Sequence, residues 1–406
     1  MSAPDPMTAI EAAARDSYSQ LLSLVASWAG GDLAGAEDAL GEAFQAALLK
    51  WPVEGVPERP EAWLASVARR RLIDSQRRER TRGRSGEALR TALETAARTA
   101  GESEGFPDDR LKLLFVCAHP AIDPSERAPL SLQVVLGISP ERIASAFLVS
   151  PAAMKQRLVR VKRKIRDARI PFEVPPPDQW PARFSAVLEA IYVAFTAGWD
   201  ASGGGQLAEE AIRLGRLLVN FAPHEPEALG LLSLMLHCDA RKAARSSADG
   251  AFIPLDEQNV SLWSGDQITE ADAMLRRAAG MGGVGRFQLE AAIQSVHAAR
   301  RLTGKTEWGM IIGFYEMLLG LTEARGARIA HAIAIAEVHG PESGLEALEA
   351  IPQEGMSHHQ PYWAVRADLL RRAGRTEEAI ASYQRAIGLT EDPSVRKFLT
   401  ERRKMA

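Results

Sequence analysis

The 406-residue chain has few of the residues that most often build catalytic and metal sites. Its two cysteines, Cys117 and Cys238, are too few and too far apart for a disulfide framework or a thiolate zinc site. None of the eight histidines pairs with another at H-x-x-x-H spacing, and the GGVG at 282–285 lacks the glycine spacing of a dinucleotide site. We therefore expect no catalytic site, no cofactor and no metal.

Long apolar runs and β-strand patterns are also absent from the sequence. No stretch reaches the about eighteen apolar residues of a membrane span, and the N-terminal MSAPDPMTAI does not resemble a signal peptide, which favours a cytoplasmic protein with no membrane contact. No run of alternating β-branched residues occurs, while 46% of the residues are apolar. The sequence therefore predicts an all-α fold with two or three domains, large enough to bury sizeable cores.

Residues 139–169 predict a helix-turn-helix. Ser139-Pro140 and Ser150-Pro151 each place an N-cap hydroxyl before a proline at the first helical position. The second helix has apolar residues at spacings of four, three and four, which predict one buried stripe. The stripe consists of Met154, Leu158, Val161 and Ile165.

The other faces of the second helix are strongly cationic. A basic helix face is most often a solvated surface, but here a preceding helix at helix-turn-helix spacing favours DNA binding. Long cations neutralise phosphates, and arginine and glutamine reach base edges in the major groove. The candidate DNA-binding residues are Lys155, Gln156, Arg157, Arg160, Lys162, Arg163 and Lys164.

Two further helices are predicted nearer the N-terminus. The first follows the N-cap Asp32 and has an acidic open side at Glu37, Asp38 and Glu42, which by itself is most often a solvated face. Prolines at 52, 57 and 60 predict that this helix breaks after Trp51 and gives way to a stiffened loop. The second helix exposes a row of cations that makes nucleic acid the favoured ligand: Arg69, Arg70, Arg77, Arg78 and Arg80.

The motif order AEDAL-x-EAF, PxxWLxxVARRRLID-x-xRRxR, polar linker and basic helix-turn-helix resembles bacterial RNA polymerase sigma factors of the extracytoplasmic-function type, over residues 10–170. LLFVCAHPAI and FLVSPAAMKQRLVRVKRKIRDARIPFEVP resemble the subgroup with a long C-terminal extension. The resemblance implies region 2 at 1–80, a linker at 81–109 and region 4 at 110–170. It also implies that region 2 binds core polymerase and the minus-10 element, and that region 4 binds the minus-35 element.

That resemblance assigns roles to the charged residues already named. Glu37, Asp38 and Glu42 would bind core RNA polymerase, and the loop over 53–59 would capture a flipped base. The five arginines from 69 to 80 would hold the melted minus-10 strand, and the basic face from 155 to 164 would bind minus-35 DNA.

The sequence predicts an added helical module over residues 171–406, which begins with the proline-rich boundary PFEVPPPDQW. YWAVRADLLRRAGRTEEAIASYQRAIGLTEDP matches one tetratricopeptide repeat, and weaker matches precede it, so a TPR-like α-solenoid is predicted. Residues 247–263 do not fit the repeat, and we call them the insertion. Solenoids present concave surfaces to partners, which predicts either a protein partner or an intramolecular contact.

Two functions remain open from the sequence. The favoured one is an alternative sigma factor that recruits core RNA polymerase to promoter DNA and catalyses no reaction itself. The other is a helix-turn-helix regulator with a TPR-like sensor domain and no binding to core polymerase. The acidic helix and the N-terminal basic helix discriminate between them, because a simple regulator needs neither.

Overall fold

The computed structural model describes residues 5–82, 109–147, 149–176, 178–200, 205–247, 250–352 and 356–405. All the regular elements in these ranges are helical, apart from one isolated β-bridge between Ser246 and Phe252. The all-α prediction is confirmed. The predicted linker at 81–109 lies almost entirely outside the described residues. Within these ranges, no helix combines the length and apolar composition needed to cross a membrane.

The chain divides into two compact units, which we call the first unit, residues 1–214, and the second unit, residues 215–406. A single π-helical turn, Ala13–Ser17, joins the first two helices of the first unit. The helices that begin in this unit are α1 Pro6–Ala12, α2 Tyr18–Trp28, α3 Leu33–Glu54, α4 Pro60–Arg82, α5 Arg110–Cys117, α6 Pro124–Leu136, α7 Pro140–Ala146, α8 Pro151–Asp167, α9 Trp180–Asp200 and α10 Gly205–Phe221.

Local sequence signals explain where several of these helices begin and end. The Asp32 carboxylate accepts a hydrogen bond from the Gly35 amide at 3.2 Å and caps α3, as predicted. Gly137 ends α6 with a φ of 68°, in the left-handed region that glycine adopts at little cost. The predicted break after Trp51 is wrong, because α3 continues through Pro52 to Glu54. Gly55, with a φ of 88°, then ends the helix, and its amide donates to the Trp51 carbonyl.

Helices from the two predicted sigma regions pack together within the first unit. Helix α2 contacts α5 and α6, and α3 contacts α8. Two glycines permit the close approach: a Cβ on Gly137 would lie 2.9 Å from Tyr18 Cδ1, and one on Gly31 would lie 3.3 Å from the Ile170 carbonyl oxygen. Larger residues at these positions would push the helices apart.

Helix α9 covers the start of the predicted region 4. Trp180 lies 4.9 Å from the Phe115 ring and stacks on Phe184 at 5.5 Å. The buried Arg183 guanidinium donates to the Phe115 carbonyl oxygen at 2.6 Å. The sequence predicts a separate module that starts at residue 171. The first compact unit instead continues to Leu214, because α9 packs on α5 and α6.

In the second unit most helices pack on their sequence neighbours, and the helix Pro226–Asp239 packs as closely on Arg286–Thr303, two helices further along the chain. Positions of the predicted tetratricopeptide repeat fall in its last helices: Ala367, Tyr383 and Ala386 are buried, and Gly374 adopts a φ of 76° between two helices. Its helices are α11 Pro226–Asp239, α12 Gly265–Ala279, α13 Arg286–Thr303, α14 Trp308–Leu319, α15 Arg325–His339, α16 Pro341–Glu349, α17 Gln360–Arg372, α18 Thr376–Leu389 and α19 Pro393–Lys404.

Candidate nucleic-acid interface

Helices α7 and α8 form the predicted helix-turn-helix. The Ser150 hydroxyl accepts a hydrogen bond from the Ala153 amide at 3.2 Å, so it caps α8 ahead of the proline at the first helical position. Lys155 of α8 pairs with Glu141 of α7 at 2.6 Å across the turn. Both side chains are more than half exposed, so the pair contributes little to stability.

Helix α8 presents a basic face to solvent. Its predicted apolar stripe is buried, with Met154, Leu158, Val161 and Ile165 at most 2% exposed. That burial fixes the rotation of the helix and turns the opposite side outward. Five of the predicted DNA-binding residues are exposed there: Lys155, Gln156, Arg160, Arg163 and Lys164.

Arg157 is held closer to the protein than its neighbours on α8. One of its Nη atoms donates to the Ser125 carbonyl oxygen at the start of α6, at 3.1 Å, and the side chain is partly buried. To contact a base, the guanidinium would have to leave this carbonyl. Arg160, one turn further along, is exposed.

Lys162 does not share the exposed face of α8. Its ammonium group forms an ion pair with the Glu37 carboxylate of α3, and the two side chains are 8% and 19% exposed. A residue predicted to bind DNA and a residue predicted to bind polymerase therefore contact each other. In this conformation neither is available to an external partner.

The Glu37 carboxyl group is in an unfavourable site for a negative charge. Burial raises its pKa above the ordinary value, and this effect outweighs the opposing attraction of Lys162. The second carboxylate oxygen, Oε1, is buried without a hydrogen-bond partner among the described residues. The contact between α3 and α8 is therefore sensitive to the protonation of one carboxyl group.

We expect the Glu37 carboxyl to make stability depend on pH. A raised pKa contributes stability at pH values below the ordinary 4.5, and this contribution is lost as pH rises through the folded-state pKa. The melting temperature of the wild type minus that of Glu37→Gln should therefore fall as pH increases from 4.5. Parallel profiles of the two proteins would contradict this expectation, and Glu54→Gln, at an exposed site of the same helix, is the matched control.

Helix α3 also carries an acidic surface that faces solvent. Asp38 and Glu42 are exposed, and Glu42 pairs with Arg71 of α4 at 3.1 Å. Both members of this pair are about half exposed, so the pair can exchange partners at low cost. Two of the three predicted polymerase-binding residues are therefore accessible.

Helix α4 holds the five arginines predicted to contact the minus-10 strand. Arg69 is partly buried, with its guanidinium carbon 5.6 Å from the centroid of the Trp28 ring. Arg70 is exposed and donates to the Ser66 hydroxyl at 3.4 Å. Arg77, Arg78 and Arg80 lie in the last turns of α4, and their side chains are outside the described part of the structure.

Trp63, at the start of α4, packs against α3. Its ring meets that of the buried Trp51 edge-on at 5.5 Å. Trp63 is partly buried by this contact. Trp51 and Trp63 thus join α3 to α4, so the acidic surface and the arginine row are held on one rigid pair of helices.

Comparison with known proteins agrees with this arrangement. Residues 14–82 match sigma-70 region 2, and residues 183–279 match a family of unknown function, DUF6596. Over 185 residues the chain is 29% identical to the probable ECF RNA polymerase sigma factor SigI of Mycobacterium tuberculosis, in strains CDC 1551 / Oshkosh and H37Rv. That match spans 43% of this chain and 60% of SigI.

The chain therefore carries a sigma-70 region 2 and is similar, over 185 residues, to a sigma factor of the extracytoplasmic-function type. Sigma factors are transcription initiation factors rather than enzymes. A longer match joins it to the uncharacterized protein R00370 of Rhizobium meliloti (strain 1021), which is 38% identical over 373 residues. That alignment covers 90% of this chain and 88% of the relative, so it includes the C-terminal extension. No solved structure matches the chain significantly.

Proposed function

We propose that this protein binds core RNA polymerase, directs it to a restricted set of promoters and helps to open them. The observation that carries the proposal is the exposed basic face of α8, presented by a helix-turn-helix and joined in one unit to the acidic surface of α3. DNA affinity and polymerase affinity would thus reside on different helices. A simple regulator does not need a polymerase-binding helix.

Helix α8 is the candidate reader of duplex promoter DNA. Residues near the N-terminus of a recognition helix meet base edges, which favours Lys155 and Gln156 for sequence readout, with Arg160 one turn further along the same exposed face. Glutamine suits adenine and arginine suits guanine in the major groove. Arg163 and Lys164, further along the exposed face, would neutralise phosphates.

Helix α4 is the candidate grip on the melted strand. Opening a duplex costs a few kcal/mol for each unstacked step, so a protein that melts DNA without ATP must bind single strands more tightly than duplex. A row of arginines along one helix supplies phosphate contacts for that purpose. Arg70 is the exposed member among those whose side chains are described.

The ion pair between Lys162 and Glu37 would make the binding of polymerase and the binding of DNA interdependent. While it is formed, region 4 covers part of the helix proposed to bind polymerase. Binding of polymerase through α3 would therefore release α8, and the freed Lys162 would join the phosphate-binding face. The protein would expose its full DNA surface only after it has met polymerase.

The C-terminal extension is proposed to act on this step, either through a protein partner or through a contact within the chain. Most of its helices pack on their sequence neighbours, as in solenoids, which form extended binding surfaces. The long match to R00370 includes this extension, which supports a role carried by the whole chain. We expect removal of the extension to change the amount of transcript.

Run-off transcription tests the proposed function directly. Core RNA polymerase is mixed with the full-length protein on genomic fragments that include the promoter of its own gene. Specific transcripts that require the protein would support the proposal. If no transcript forms and core polymerase does not bind the protein, the regulator with a TPR-like sensor becomes the better description.

We expect Arg160→Ala to weaken binding to cognate duplex DNA by roughly 1 to 3 kcal/mol if the guanidinium contacts a base. The loss should shrink on DNA altered at the contacted base pair. Arg157→Ala should cost less, because its guanidinium already has a partner in the Ser125 carbonyl. Fluorescence anisotropy at several salt concentrations measures both effects.

Lys164→Ala is the matched control for this comparison. It should weaken binding to all sequences alike and lower the salt slope by about one unit. Equal losses for Arg160→Ala on every DNA sequence would contradict base readout and reassign Arg160 to the DNA backbone.

A further inference from the structure

The second unit contains a cavity of about 500 Å³ between the insertion and helices α13, α14, α15 and α17. Sites for small molecules in proteins usually measure about 300 to 1,000 Å³. This cavity belongs to the extension and is independent of the residues proposed to bind DNA or polymerase. Its walls are therefore free to serve another ligand.

The insertion forms one wall of the cavity through Phe252, Pro254, Leu255 and Asp256. The Arg300 guanidinium holds this wall in place, since it donates to the carbonyl oxygens of Leu255, Asp256 and Gln258 at 2.8, 3.1 and 3.3 Å. An arginine with three backbone acceptors fixes a segment that has little regular structure. The departure of the insertion from the repeat pattern thus corresponds to a specific structural role.

The last helix, α19, fixes the same wall from the other side. Phe252 meets Phe398 edge-on at 5.7 Å, and Glu257 pairs with Arg402. With contacts to both α13 and α19, the wall does not depend on a ligand for its shape. The cavity is therefore pre-formed, which lowers the entropy cost of filling it.

The interior of the cavity is mainly apolar and aromatic. Trp308, Tyr315 and Phe252 contribute rings, and Ile333 and Val365 contribute aliphatic surface. His297 lies 5.3 Å from the Trp308 ring, and burial together with Arg241 and Arg300 lowers its pKa to about 3. It is therefore an uncharged hydrogen-bonding group at physiological pH.

Each charged group of the lining has a partner of opposite sign nearby. Glu337 pairs with Arg372 at 2.5 Å, and Asp368 pairs with Arg371 at 2.8 Å. Asp256 is attracted to the nearby Arg300. A charged ligand would lose its hydration without meeting an uncompensated opposite charge, whereas a neutral ring would gain stacking and burial.

We propose that this cavity binds an uncharged aromatic small molecule, which lies between Trp308 and the wall formed by the insertion. The ring would pack on Trp308 and Tyr315, and His297 would offer one hydrogen bond. The extension then contains a site for a chemical signal. This assignment does not depend on the proposed polymerase binding.

Dye binding to the full-length protein tests the site, with the neutral aromatic dye Nile red as the probe. We expect saturable binding with one dye per chain and energy transfer from tryptophan. Ala364→Phe fills the cavity from α17, and Thr306→Phe fills it from the loop before α14. Each should weaken dye binding by at least about ten-fold, equivalent to 1.4 kcal/mol.

Ala381→Phe, on the exposed side of α18, is the matched control and should leave the affinity unchanged. Thermal melts show whether each variant folds. If Ala364→Phe does not fold, Thr306→Phe still tests the site. The proposal is overturned if Nile red does not bind, or if both cavity variants bind it as well as wild type does. It is also overturned if anionic anilinonaphthalene sulfonate or cationic thioflavin T binds this cavity more tightly than Nile red.

Discussion

Lys162→Met is expected to destabilise the first unit by roughly 3 kcal/mol, because it leaves the Glu37 carboxylate in a largely buried site without its cation. The double variant Lys162→Met with Glu37→Leu should recover most of this loss, since apolar pairs of similar volume often replace buried ion pairs without cost. Urea unfolding of the four members of the double-mutant cycle measures the coupling. Lys164→Met, at an exposed position on the same helix, should change stability by less than about 0.5 kcal/mol.

The same cycle tests the proposed release of α8. Because Lys162→Met weakens the contact between α3 and α8, the variant should bind core polymerase more tightly than wild type. The apolar double variant should bind less tightly, since it keeps α3 covered and removes Glu37. A coupling energy near zero, or identical polymerase binding by all four proteins, would rule out a role for this ion pair.

Truncation after residue 175 is expected to cause the second large effect. It removes α9 and exposes the Phe115 face of α5, with the loss of Trp180, Phe184 and the hydrogen bond from Arg183. Complete exposure of one large apolar side chain such as Phe115 costs about 1.5 to 3 kcal/mol, which is a large fraction of the about 5 to 15 kcal/mol by which small domains are stable. We expect the proposed region 4 of this fragment to unfold at a much lower temperature than in the full chain.

A fragment that ends at Leu214 is the matched comparison. It retains α9 and should melt cooperatively, because it corresponds to the first compact unit. Circular dichroism measures both melting curves, and run-off transcription with the two fragments separates loss of fold from loss of regulation. If the two fragments melt alike, α9 does not stabilise the proposed region 4.

Local features of the sequence predicted the helices well. Ser150 and Pro151 fixed the start of α8, and spacings of four, three and four placed Met154 and Ile165 in the core. These predictions succeed because caps and apolar stripes act over a few neighbouring residues. Pro52 is an exception, since a proline near the end of a helix removes a single hydrogen bond and α3 tolerates it for two more residues.

Long-range contacts were not predictable in the same way. Lys162 lies among seven basic or polar candidates, and nothing in the periodicity of α8 distinguishes it from the exposed Lys164. Its burial depends on Glu37, which is 125 residues away. The covering of Phe115 by α9 likewise joins residues on opposite sides of a proline-rich stretch that reads as a boundary. Only the packed structure reveals these partners.

The distance along the chain between Glu37 and Lys162 also matters while the protein is being made. Translation proceeds at about 5 to 20 residues per second, so the 125 residues that separate them take roughly 10 s to synthesise. During that interval each nascent chain displays the acidic side of α3 before the lysine that covers it exists. Every newly made molecule thus passes once through a stage in which α3 is uncovered, whatever equilibrium it later reaches.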